Sequence, residues 1–98
     1  MIELRTLAEL DGAPHANVFP EKEPKTIKLT LEAGESVPEH SHPGRDIVLY
    51  LLEGQIELTL DDETHDVSAG DIARFEGELD ISPTAVDDSV ALIVLAER

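Results

Sequence analysis

Gly34-Glu-Ser-Val-Pro-Glu-His40-Ser-His42-Pro-Gly-Arg-Asp46-Ile-Val-Leu-Tyr-Leu-Leu-Glu-Gly54 sets two histidines one residue apart, then a Pro-Gly turn, a dense apolar run and a closing glycine. Alternate residues of an extended chain face the same side, so His40 and His42 are placed to aim both imidazoles at one point. Two neutral imidazoles so placed supply half of a transition-metal site. The run Ile47 to Leu52 is apolar throughout, which reads as a strand buried on both faces.

On either side of this stretch the period is two. Ile27, Leu29 and Leu31 alternate with Lys28, Thr30 and Glu32, a half-buried strand that ends at Ala33-Gly34. After the Glu53-Gly54-Gln55 turn, Ile56, Leu58 and Leu60 alternate with Glu57, Thr59 and Asp61. A polar turn at Asp61-Asp62-Glu63 leads to a short strand from Thr64 to Val67, and Ala69-Gly70-Asp71 turns into another from Ile72 to Phe75. Glu76-Gly77-Glu78 breaks again. Leu79 to Ser82 reads as a strand that stops at Pro83, which has no N–H for a ladder. Ser89 to Ala96 closes the chain as a long apolar strand. About seven or eight short strands, with turn signals roughly every 6–12 residues and no convincing helix, predict a small all-β barrel or sandwich.

Residues 1–25 are less regular. Ile2, Leu4 and Leu7 suit one edge of a core, and turn residues at Asp11-Gly12-Ala-Pro14 and Phe19-Pro20-Glu-Lys-Glu-Pro24 interrupt any regular element. The expectation is an irregular arm over 1–25 that contributes an edge strand, and a barrel domain over 26–98.

Composition narrows the function classes. The chain has 98 residues, no cysteine, 7 Lys+Arg against 22 Asp+Glu, and a formal net charge of -15. Without cysteine there is no disulfide, thiolate metal site or cysteine nucleophile. The charge repels nucleic acid and anionic membrane surfaces, which select basic patches. Self-repulsion of this size is relieved at about 1 M salt, where the Debye length falls to about 3 Å, so the acidic balance looks like that of a halophile's protein. The N-terminus lacks the basic-then-apolar pattern of an export signal, and no apolar run approaches the roughly 18 residues of a membrane helix. The expected location is cytoplasmic.

With these elements placed, the sequence resembles the cupin superfamily, whose fold is a jelly-roll, or double-stranded β-helix, barrel. The family's first motif is G-x5-H-x-H-x3,4-E-x6-G, and Gly34, His40, His42 and Gly54 fall in its register. Its second is G-x5-P-x-G-x2-H-x3-N, whose beginning matches Gly70-Asp71-Ile-Ala-Arg-Phe75. The resemblance covers roughly residues 26–96. The departures are informative. Counted back from Gly54 the motif glutamate falls on Ile47, and counted forward from His42 it falls on Asp46. In the second motif Glu76 and Glu78 replace the proline and glycine, Ile81 stands at the histidine position and Ala85 at the asparagine position.

The resemblance therefore implies a metal site of His40, His42 and Asp46, with a divalent transition metal (iron, manganese, nickel or zinc) that is weakly held or absent because the ligand set is incomplete. His15 and His65 lie away from the motifs and read as surface residues, with the alternative that either completes a site by folding back. Phe75 and Tyr50 read as core, Arg74 as one half of an intramolecular ion pair. Ser41 alternates away from the histidines and has no oxyanion-hole signature, so it is not read as a nucleophile. The functional expectation is a barrel that binds a small molecule, and a divalent metal if one is held, in its mouth, with no catalysis evident. The alternative is a metal-dependent oxygenase or isomerase that uses His40 and His42. The expected partners are a small-molecule ligand and a second copy of the chain, a homodimer formed through an outer sheet face or the N-terminal strands.

Overall fold

The computed structural model describes residues 2–98. Eight strands follow one another as β1 (His15–Asn17), β2 (Lys25–Leu31), β3 (Arg45–Glu53), β4 (Gln55–Leu60), β5 (Glu63–Ser68), β6 (Ile72–Glu76), β7 (Ile81–Ala85) and β8 (Ser89–Glu97). One 3-10 turn at Leu7–Glu9 precedes them, and the described residues hold no α-helix. No helix among them is long and apolar enough to cross a membrane. The strands form two antiparallel sheets, β1-β2-β8-β3-β6 and β5-β4-β7, which face each other as a jelly roll.

Alternation builds the core. Leu29, Ile47, Leu49, Leu51, Ile56 and Leu58 point inward and are each at most 2% exposed. Phe75 joins them. Burial of this aliphatic set is the main favourable term for so small a domain.

Two expectations are corrected here. The β3 run is buried on one face only, because its outer face has no covering layer. Val48, Tyr50 and Leu52 are exposed there, so Tyr50 is not a core residue. Nor does Pro83 end its strand: it sits in the middle of β7, opposite Leu58. The side of β7 where its N–H is missing faces the segment 34–40, which runs alongside through bridges Ser36–Thr84 and His40–Ile81. Val37 donates its N–H to the Pro83 carbonyl at 3.0 Å. The reciprocal bond is supplied by the Ser82 hydroxyl, which donates to the Val37 carbonyl at 2.8 Å. A side chain has taken the place of the absent backbone donor, so the strand continues.

The N-terminal arm reaches the barrel through β1, which pairs with β2 at the edge of the larger sheet. Lys28 reaches back over it, donating from Nζ to the Leu7 and Leu10 carbonyls at 2.9 and 3.2 Å.

Candidate functional site

The site lies at the end of the barrel where the 34–45 segment crosses between the sheets. His40 is held by its backbone, exchanging hydrogen bonds with Ile81 at 3.1 and 2.7 Å. His42 donates its backbone N–H to the Gly77 carbonyl at 2.6 Å, and Gly77 donates in turn to the Arg45 carbonyl at 2.8 Å. A Cβ on Gly77 would collide with the His42 carbonyl oxygen, so glycine is required for this close approach. The C-terminus clamps the same loop: Glu78 accepts from the Gly44 N–H at 2.9 Å and forms an ion pair with Arg98.

The His40 and His42 rings are 4.9 Å apart, centroid to centroid, and nearly perpendicular. That separation suits two nitrogens meeting at one point, since each metal–nitrogen bond spans about 2 Å. His40 Nδ1 lies 2.8 Å from the Pro38 carbonyl, an acceptor that selects the Nδ1–H tautomer and leaves Nε2 free.

A third imidazole joins them. His15 pairs with Leu29, and cross-strand partners share a sheet face, so His15 stands on the inner face of the barrel wall, at its rim. It lines the same space as His40 and His42. His15 is exposed, as expected of a surface residue, and the register adds that its exposed ring stands at the rim of this site. No local pattern could reveal it, because β1 is three residues long and its partner is fixed only by pairing. His65 remains on β5, exposed beside Glu63.

Asp46 is corrected as well. Inward positions on β3 are Arg45, Ile47, Leu49 and Leu51, so Asp46 faces outward, where Arg74 and Arg98 pair with it at 3.1 and 3.4 Å. Ile47 takes the inward place. Behind the imidazoles lies a chamber of about 30 Å³, walled by Leu29, Ile47, Leu49, Phe75 and Ile81. It has room for one water molecule or one ion and no more. In front lies an open cleft of about 360 Å³, with walls from Ile27, Val37, Pro38, Ile93 and Leu95. That volume is in the range of small-molecule sites.

Burial holds the His42 imidazole below the usual histidine range, and the neighbouring His40, Lys25, Arg45 and His15 push it further down. His15 is lowered by the same causes, burial first, then His40 and Lys25. Glu39 also borders the cleft, but its carboxyl is hydrogen-bonded to Asp80, which raises it above the usual glutamate range.

The cupin domain family matches residues 27–95. The chain belongs to the cupin family. Solved structures agree on the fold. An RmlC-like cupin protein from Desulfovibrio desulfuricans is 24% identical, with a TM-score of 0.81 over 98% of this chain and 97% of that one. A conserved double-stranded β-helix protein from Klebsiella pneumoniae is 14% identical, with a TM-score of 0.84 over 99% and 91%. A conserved protein of unknown function from Streptococcus pyogenes is 20% identical, with a TM-score of 0.78 over 100% and 90%. No curated protein matches the sequence.

This cupin keeps the first motif's histidine pair and loses the remaining ligands. Ile47 faces inward beside Asp46, and Ile81, at the second motif's histidine position, also walls the chamber. Among the described residues no group of three or more His, Cys, Asp or Glu side chains is arranged to hold a metal ion. Nor does a carboxylate line the chamber. The donors present are the His40–His42 pair with His15 across the opening, short of the three-histidine, one-carboxylate set of the family motifs.

Proposed function

We propose that this cupin is a small-molecule-binding protein whose ligand occupies the cleft in front of His40 and His42, without a resident metal ion. The observation that carries this reading is the chamber itself, about 30 Å³ with isoleucine in place of the family's ligands. A ligand larger than one or two atoms has to lie in the outer cleft, against Ile27, Val37 and Ile93, with the imidazoles as its polar contacts.

A second reading, a metal-dependent oxygenase or isomerase, is favoured by one feature. The ring separation of 4.9 Å and the His40–Pro38 hydrogen bond are what a metal-bound pair shows. Elemental analysis of untagged protein purified in high salt decides between them, beside a His40→Ala, His42→Ala double variant. The expected result is no stoichiometric metal in either. One metal per chain, lost in the variant, overturns the metal-free reading in favour of the second.

Two further parts belong to this proposal. The acidic charge of -15 supports residence in a salt-rich cytoplasm. The outer face of the larger sheet supports pairing of two copies, since Val48, Tyr50, Leu52 and Ile72 are exposed there. Register makes them neighbours: Tyr50 lies opposite Ile72 on one side and Leu92 on the other.

A further inference from the structure

The cations of this protein are few, and their distribution is uneven. Lys25, Ile27, Leu29 and Leu31 alternate onto the inner face of β2, and Ile27 lines the cleft, so Lys25 stands one step further out on the same face, at the rim. Its partner across the ladder, Leu95, also lines the cleft. Arg45 stands on the inner face of β3 in the same way, with Nη1 donating to the Leu95 carbonyl at 2.8 Å. Three of the 4 histidines line one opening, and Lys25 and Arg45 stand beside it, close enough to act on the His42 imidazole, in a chain of net charge -15.

Two carboxylates near this opening are engaged by Arg45. Glu23 is paired with Arg45 at 2.7 Å and Glu97 approaches the same guanidinium at 3.7 Å, while Glu39 borders the cleft beside Asp80 with no cation partner among the described residues. Lys25 makes no ion pair within 4.0 Å among the described residues, although Glu23 lies near enough to feel its charge, and no carboxylate pairs with His15, His40 or His42. His15 and His42 each bring an N–H donor, Lys25 brings an ammonium beside the opening, and the walls between them are aliphatic. An acceptor with two oxygens and a full negative charge satisfies such a group of donors. A neutral amide or alcohol offers the ammonium and the imidazole N–H groups no negative charge, so it makes the weaker hydrogen bonds.

Building on the binding reading above, we propose that the ligand of this cleft is a small monocarboxylate: an anionic head held by His15, His42 and Lys25 beside the His40 ring, and an apolar body along Ile27 and Ile93. His15 and Lys25 lie outside both family motifs. They belong to strands β1 and β2, so the anionic site depends on the N-terminal arm docking at the sheet edge.

The test is nuclear magnetic resonance titration of the full chain with benzoate, cyclohexanecarboxylate and hexanoate, each beside its own amide. Imidazole and isoleucine methyl signals are followed near neutral pH. Each acid is expected to move the His15, His40 and His42 signals and the Ile27 and Ile93 methyls, leaving His65 in place. Each amide is expected to bind at least about tenfold more weakly. Lys25→Gln and His15→Gln should lose most of the preference for acid over amide while keeping the methyl fingerprint of the folded barrel. His65→Gln should keep it. Amides that bind as tightly as acids overturn the carboxylate head and leave the binding reading standing. Methyls unmoved by any probe overturn both. Acid binding that appears only after Zn²⁺ is added overturns the metal-free site and transfers the head group to the metal.

Discussion

Glu78 accepts the Gly44 N–H at 2.9 Å and pairs with Arg98, and these contacts hold its carboxyl down to about 2 from an ordinary 4.5. A depressed carboxyl stabilises the fold above its unfolded value, and that contribution is lost as pH falls from 4.5 through about 2. Thermal midpoints measured across this window should fall for the wild type, and Glu78→Gln should be less stable at neutral pH with a shallower acid decline. Because Glu78 is solvent-exposed, the difference is expected to be modest. Equal slopes would remove Glu78 as the cause. Gly77, bonded directly to the His42 backbone, predicts a larger effect. A methyl group there meets the His42 carbonyl and lies 2.9 Å from the Arg45 carbonyl, both backbone atoms with little freedom to yield. Gly77→Ala should cost about 1–3 kcal/mol in denaturant unfolding and should also shift the His42 imidazole signals. A stable variant with unmoved signals would show that the loop gives way at no expense.

At the scale of elements, the segment 34–40 carries His40 and depends on an irregular ladder with β7. Ser82 supplies the donor that Pro83 lacks, at 2.8 Å from the Val37 carbonyl. Ser82→Ala removes it and leaves that carbonyl without its partner, so unfolding free energy should fall by about 1 kcal/mol. Faster amide exchange at Val37 and His40 than in β3 would localise the loss to this segment. Exchange that quickens uniformly would count against that role. The strand β1 behaves differently. It is three residues long, and its worth lies in where pairing puts His15, not in the area it buries.

For the whole molecule, charge and exposed apolar surface make opposed demands. A net charge of -15 repels within one copy and between copies, and salt screens both. The thermal midpoint should rise steadily from low salt to about 1 M sodium chloride, where the Debye length is about 3 Å. A flat dependence would mean that self-repulsion is not limiting. The outer patch of Val48, Tyr50, Leu52 and Ile72 should give a dimer in equilibrium sedimentation, more strongly at high salt. Val48→Glu should sediment as a monomer with its barrel intact. A wild type that is monomeric at every salt concentration would remove the pairing proposal.

Alternating apolar residues from Ile27 to Leu60, glycine and aspartate at the turns, and the His40-Ser-His42 spacing with its flanking glycines were enough to establish strands, barrel and family. These are local signals: a strand's two faces, a turn's backbone and a motif's spacing are written in neighbouring residues. Which face of a strand meets the core depends on register, and register is a property of two strands together. The choice between Asp46 and Ile47 was open in the sequence for that reason, and β3 resolved it by turning Ile47 inward and Asp46 to Arg74. Pro83 looked like a stop because its missing N–H is visible in the sequence, while the Ser82 hydroxyl that replaces it acts only once Val37 lies alongside. His15 became part of the site through one ladder pair, with Leu29, across a gap that no short-range pattern spans.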